Sequence, residues 1–196
     1  MLSNGLMSLH LEHLYAANNS YLTVPEIGDI VIKTLTPANA SANPNSTVAT
    51  ISASIEAGKY YSFFTSGMYD ATSKTTTGFV VEDIIPAADT SSAYVRFVNT
   101  IPDNINGFDL KAVNTTTLAE TVIAPPVNYQ KASAFVKVPN GVYNLRAIST
   151  NTPSNFTISR NSVSFSKGMV YTISSKGTIT VSTGTNAPAL DLTRNR

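Results

Sequence analysis

Apolar and polar residues alternate along most of this chain with a period of two, and the spacing of an amphipathic helix is almost absent. Side chains of a strand point to opposite faces in turn, so this alternation predicts many half-buried strands. Ser52–Ile55 reads as one strand, Ala57-Gly58 breaks it, and Tyr60–Thr65 forms the next. Ala93–Val98 is a strand ended by Asn99-Thr100-Ile101-Pro102, and Phe108–Val113 follows a turn at Asn106-Gly107. Phe135–Val138 runs into Pro139-Asn140-Gly141, after which Val142–Ala147 resumes the alternation. Short strands punctuated by Gly, Pro and Asn predict an all-β sandwich or barrel.

The pattern also repeats. Tyr21–Pro25 followed by Gly28–Lys33 resembles Phe135–Pro139 followed by Gly141–Arg146: an alternating strand meets a proline, a glycine turn follows, and a second strand ends in a cation. Gly58–Gly67 matches Gly168–Gly177 at an offset of 110 residues. Two ordered matches at nearly one offset predict two tandem copies of one unit. The first copy is expected over residues 1–88 and the second over 89–196, with Pro86 to Ser91 between them. Tyr61 and Phe63 then correspond to Tyr171 and Ile173 on the inward strand face.

Composition narrows the function classes. Charged residues make up 13% of the chain and apolar residues 42%, enough for a core and too little charge for a disordered chain. Ser and Thr together number 47 of 196, which supplies polarity without charge and favours strands and turns. A net charge of +1 with no basic cluster gives no footprint for nucleic acid or for a membrane surface. The absence of cysteine rules out disulfides, thiolate nucleophiles and Cys-ligated zinc within these residues. No run of 18 apolar residues is present, so no membrane-spanning helix is expected, and Met1–His10 lacks the form of a signal peptide. Low charge and abundant Ser, Thr and Asn lean toward an exported or cell-surface protein.

At this point the residues carry a resemblance to a known family. Ala93-Tyr-Val-Arg-Phe-Val-Asn-Thr-Ile-Pro-Asp103 resembles the opening strand of the DUF4397 domain, of the type a-x-V-R-F-V-N-A-S-P-D. Ser133–Pro139 and Gly168–Ile173 are similar to later strands of that family, as are Ser20–Pro25 and Gly58–Phe63. Thr100-Ile101 departs from the family's Ala-Ser pair, and Glu26-Ile27 is inserted before Gly28. The resemblance implies immunoglobulin-like or transthyretin-like antiparallel sandwiches, often in tandem, in exported or surface proteins, notably of Bacteroidota. It implies no enzymatic activity.

The two copies are unequal under this alignment. The second opens with Ala93–Val98 and Phe108–Val113, and the first has no room for equivalents before Asn4-Gly5, which matches a hairpin turn. Three readings stand. Residues 1–196 are part of a longer polypeptide; or the first copy is a smaller sandwich repaired by residues 1–20; or a strand from another chain completes it.

Candidate chemistry is sparse. His10-Leu-Glu-His13 could ligate zinc on a helix, but on a strand the two histidines face opposite sides, and solvent-facing histidines are the plainer reading. Asp103, Asn104, Asn106 and Asp109 could form an irregular oxygen-ligand site, yet the EF-hand register fails at Pro102 and Val113, and capping of a strand connection is the plainer reading. No G-x-S-x-G, phosphate loop or dinucleotide fingerprint occurs, and Glu82-Asp83 diverge on a strand. We expect no catalytic residue, no metal and no cofactor. Arg96 and Asp109, on consecutive predicted strands, are expected to pair across a sheet. Tyr60 and Phe64 share the strand face opposite Tyr61 and Phe63, and are the candidate contacts for a partner or glycan. The N-x-S/T triplets at Asn18, Asn39, Asn45, Asn114 and Asn155 are as frequent as the composition dictates. The leading expectation is a non-catalytic interaction protein that binds a protein partner or itself through the open edge of the first copy. A carbohydrate-binding or adhesion module is the alternative, and an enzyme the third.

Overall fold

The computed structural model describes residues 7–12, 21, 23, 27–104, 106–150 and 156–196, and every regular element among them is a β-strand. The chain divides into two compact units, Met1–Asp83 and Ile84–Arg196.

The first unit contains β1 (Met7–Glu12), β2 (Gly28–Leu35), β3 (Thr47–Ile55), β4 (Tyr61–Asp70) and β5 (Thr75–Glu82). Strands β1, β2 and β3 form one sheet in that order. β2 and β3 are antiparallel with Gly28 opposite Ile55, whereas β1 runs parallel to β2 with Met7 opposite Ile30. The other sheet is the hairpin β4–β5, with Tyr61 opposite Glu82. Its turn is built by Asp70, whose carboxylate accepts the backbone N–H of Thr72 at 2.7 Å and of Ser73 at 3.3 Å. Those two N–H groups hold the Asp70 carboxyl below its usual range. The alternation in β2 and β3 turns Ile30, Ile32, Ile51 and Ile55 inward, and Tyr61 and Phe63 of β4 pack on them half-buried. Gly78 lets β5 come close to β3, since a Cβ there would lie 2.5 Å from the Ile51 side chain.

The second unit contains β6 (Ser92–Asn99), β7 (Phe108–Asn114), β8 (Glu120–Val127), β9 (Lys131–Ala132), β10 (Val136–Pro139), β11 (Gly141–Ser149), β12 (Thr157–Phe165), β13 (Val170–Lys176) and β14 (Ala189–Arg194). One sheet has the order β10-β6-β13-β14, with β9 also on β6, and the other β12-β11-β7-β8. All pairings are antiparallel except β6 with β13, which is parallel. Both sheets turn every second residue into one core: Val95 and Phe97 from β6, Tyr171 and Ile173 from β13, Leu110 from β7, Leu145 from β11 and Phe165 from β12. Two sheets sharing one apolar layer make a β-sandwich.

Two expectations need correction. Arg96 and Asp109 do not pair, because β6 and β7 lie in different sheets. Consecutive strands usually neighbour one another, but here the chain passes from one sheet to the other between β6 and β7. Ser52–Ile55 lies within the longer strand β3, and of Tyr60–Thr65 the residues from Tyr61 onward lie within the longer strand β4, which Tyr60 precedes.

Candidate functional site

The two units solve the same local problem with matching hydrogen bonds. Before β13, Gly168 turns the chain with φ 81°, and the Tyr171 hydroxyl accepts the Ser166 N–H at 3.2 Å. Before β4, Gly58 turns it with φ 76°, and the Tyr61 hydroxyl accepts the Glu56 N–H at 3.2 Å. The Asn195 N–H donates to the Val170 carbonyl at 2.7 Å, and the Asp83 N–H donates to the Tyr60 carbonyl at the same distance. Tyr171 faces Arg194 as Tyr61 faces Glu82. These correspondences place Ser62 at Thr172, Phe63 at Ile173 and Asp83 at Asn195.

The neighbours on the other side differ. In the second unit β13 lies between β14 and β6 in register Tyr171 with Val95, Thr172 with Arg96 and Ile173 with Phe97. Arg96, 2% exposed, donates from Nε to Thr172 Oγ1 at 2.9 Å, and the Thr172 hydroxyl in turn donates to Asn195 Oδ1 at 2.7 Å. The guanidinium sits 4.7 Å from the centre of the Phe135 ring, a cation–π contact. Desolvation of a guanidinium is costly unless its donors and its face are satisfied, and this pocket does both.

In the first unit the sheet containing β4 consists of β4 and β5 among the described residues, so β4 has a second edge with no strand described on it. On that unit Ser62 Oγ donates to Asp83 Oδ2 at 2.6 Å, and the Tyr21 hydroxyl donates to the same oxygen. Asp83 is 3% exposed. The Tyr21 ring lies against Tyr60 at 5.0 Å and 59°. Lys59 bridges Glu56 at 2.9 Å and Glu82 at 3.2 Å, and both carboxylates raise its pKa. Glu82 and Asp83 therefore do diverge, one to a surface ion pair and one to a buried network. A carboxylate held by two hydroxyls accepts hydrogen bonds and favours a cation beside it; Ser62 is fixed as its donor.

The sequence-derived candidates fall as follows. Tyr60 precedes β4 and is 50% exposed. Phe64 is half-buried and stacked on Phe79 of β5 at 5.1 Å and 18°, so one face of its ring is covered. The two are four residues apart along a strand, roughly 13 Å. Asp103 accepts the N–H groups of Ile179 at 3.0 Å and Thr180 at 3.2 Å, and Asn104 donates to the Gly107 carbonyl and to Ser149. Those side chains are capping groups for strand connections. His13 lies outside the described residues, and of His10 and Glu12 only the backbone in β1 is described. Among the described residues no group of three His, Asp or Glu is arranged to hold a metal, and no helix is long and apolar enough to cross a membrane. A shallow open groove of about 360 Å³ is lined by Pro125, Pro126, Val127 and Val136 together with the polar Asn128, Lys131 and Ser133.

Sequence reasoning missed Ser62 and Asp83. The signal was available: they align with Thr172 and Asn195 once the Gly58 and Gly168 matches are extended one strand further.

A family model described as a domain of unknown function, DUF4397, matches residues 93–194, from β6 to the end of β14. No curated protein matches the chain.

Proposed function

Because the chain belongs to the DUF4397 family, described only as a domain of unknown function, its role must come from its own residues, and we propose a non-catalytic interaction protein. In this reading it carries two tandem copies of one immunoglobulin-like or transthyretin-like sandwich unit, works outside the cytoplasm or at a cell surface, and binds a protein partner or itself through the edge of the first copy. One observation carries the reading: β13 has strands on both sides, while its counterpart β4 pairs with β5 alone among the described residues. Where a strand edge has no neighbour, its N–H and C=O groups are in register for an incoming strand. Low charge and a surface of hydroxyls and amides support the location.

Size-exclusion chromatography with light scattering tests the assembly, alone and against candidate partners. Self-association or capture that is lost when Phe63 is replaced by Pro, which breaks an edge strand, supports it. A folded monomer that captures nothing removes it. Tyr60, half open to solvent, favours a second reading as a glycan-stacking surface. A glycan array with unaltered protein and with Tyr60→Ala distinguishes that reading.

A further inference from the structure

We propose that the groove between β8 and the β9–β10 side of the second unit binds the C-terminal end of another polypeptide. Its terminal carboxylate sits on Lys131 and its apolar last residues lie along the walls. The site lies within the second unit and does not depend on the edge of the first. It follows from three features taken together.

The first is shape. β8 is the outer strand of one sheet, and β9 and β10 pair with β6 in the other. Register gives the groove a direction: Lys131 stands opposite Asn99, at the end of β6, and Val136 stands opposite Val95, further back along it. The Asn99 amide donates to the Val127 carbonyl at 3.0 Å, so the end of β8 lies at the Lys131 end. There the turn Asn128–Lys131 carries the chain from one sheet to the other and bounds the groove. The turn is firmly held. The Lys131 N–H donates to the Asn128 carbonyl at 3.1 Å, and the Gln130 N–H donates to the Asn99 carbonyl at 2.9 Å.

The second is charge. Asn128 and Lys131, both exposed, line the groove beside this turn. Ion pairs of the second unit engage Lys111, Lys137, Arg146, Arg160 and Lys176, and among the described residues Lys131 is in none of them. The groove lining contains no Asp or Glu. The bounded end therefore presents an ammonium and an amide as hydrogen-bond donors. A carboxylate matches both, and its bond to the ammonium is charge-assisted.

The third is what lies beyond that end. Away from the turn the lining is apolar as far as Ile123 and Val136, and Ser133 is already engaged in the wall. Its hydroxyl accepts the Phe97 N–H and donates to the Ala134 carbonyl, both at 3.0 Å. A carboxylate at a bounded end, with apolar groups leading away in one direction, describes a chain terminus. An acidic residue inside a chain would need room on both sides of Lys131. A polypeptide fits better than an aliphatic acid, because Pro125, Pro126 and Ala134 are exposed and a small ligand needs most of its surface buried. A peptide tolerates water along one side, and capture of a C-terminal carboxylate is a recurring mode of recognition.

The test uses the full chain and short N-terminally labelled peptides ending in Val-Leu, Val-Phe or Ile-Val. Each is made as the free acid and as the C-terminal amide. Fluorescence anisotropy gives the affinity, and hydrogen–deuterium exchange locates the peptide. Saturable binding of a free acid, slowed exchange within residues 123–136, and roughly tenfold weaker binding of its amide are expected. Lys131→Gln should remove most of the difference between acid and amide. Ala134→Glu, which adds a carboxylate to the exposed lining, should weaken the acid by roughly tenfold. Circular dichroism checks that both variants fold. No saturable binding of any free acid below about 1 mM, or binding without slowed exchange at residues 123–136, overturns the site. Equal binding of acid and amide overturns the role of the carboxylate. An amidated peptide with an internal glutamate that binds as tightly as the acid overturns the assignment to a chain end. Decanoate binding more tightly than every peptide overturns the assignment to a polypeptide.

Discussion

Asn99 accepts a hydrogen bond from the Ser175 hydroxyl at 3.0 Å, and through it the end of β6 is fastened to β13. The same oxygen accepts the Ile101 N–H at 3.0 Å, and the amide nitrogen donates to the Val127 carbonyl at 3.0 Å, in the opposite sheet. Asn99 is fully buried, so the side chain ties both sheets and the departing loop at one point. This explains a position in the V-R-F-V-N stretch that alternation alone would treat as a strand end. Asn99→Ala should lower the stability of the second unit by about 2–4 kcal/mol, since it leaves buried partners unsatisfied. Urea unfolding followed by tyrosine fluorescence measures it.

Two glycines at positive φ should respond differently to alanine. At Gly107, φ 81°, a Cβ would lie 2.4 Å from the Val127 carbonyl oxygen, and backbone cannot move aside cheaply. At Gly58, φ 76°, a Cβ would meet nothing within 4 Å. Gly58→Ala should cost roughly 1–2 kcal/mol, the conformational term alone. Gly107→Ala should cost clearly more, and equal midpoints for the two variants in the same denaturant series would contradict the close approach.

Core truncations should differ between the two units. Ile173 is fully buried and Phe63 half-buried at the matching place. Ile173→Ala should cost about 2–5 kcal/mol, while Phe63→Ala should fall below the ~3–5 kcal/mol typical of a buried phenylalanine. Thermal unfolding of the two variants beside the unaltered chain gives both values.

Acid should loosen the start of the second unit. The Asp89 carboxylate meets Lys137 of β10 at 2.8 Å and the Ser91 N–H at 2.7 Å, and these hold its pKa far below the carboxylate range. A depressed folded pKa means stability that is present above the unfolded value near ~4 and lost as pH falls toward the folded one. Stability curves of the unaltered chain and of Asp89→Asn should therefore run apart above about pH 5 and converge below it. The pair is solvent-exposed, so the gap should be small and should shrink further in high salt.

Much of the fold was legible in the residues, for identifiable reasons. The strands read at Ala93–Val98 and Phe108–Val113 match β6 and β7 to within one residue, because both alternate against a buried face and end at Asn, Pro or Gly. β8 escaped because Pro125 and Pro126 interrupt its pattern, and β5 because Thr75-Thr76-Thr77-Gly78 shows no apolar period. β12 is paired to β11 with a register shift beyond Tyr143, which breaks any strict alternation. The misplaced partner of Arg96 has a different cause. Sequence order gave Asp109, whereas the partner, Thr172, lies 76 residues away on a parallel strand, a pairing that no local pattern encodes. Asp83 was hidden because a carboxylate next to Glu82 reads as surface charge; only the fold shows one of the two turned inward.

The parallel pairing of β6 with β13 also sets a timetable. β6 is the first strand of its unit to leave the ribosome, and β13 is next to last. At ~5–20 residues per second, the roughly seventy residues between them take on the order of several seconds to synthesise. Throughout that interval β6 has the sequence of an inner strand and no inner-strand neighbour, while β4 and β5 have already emerged. Non-local closure of this kind is slow, and it makes the nascent chain, rather than the finished protein, the stage at which strand exchange between molecules is easiest.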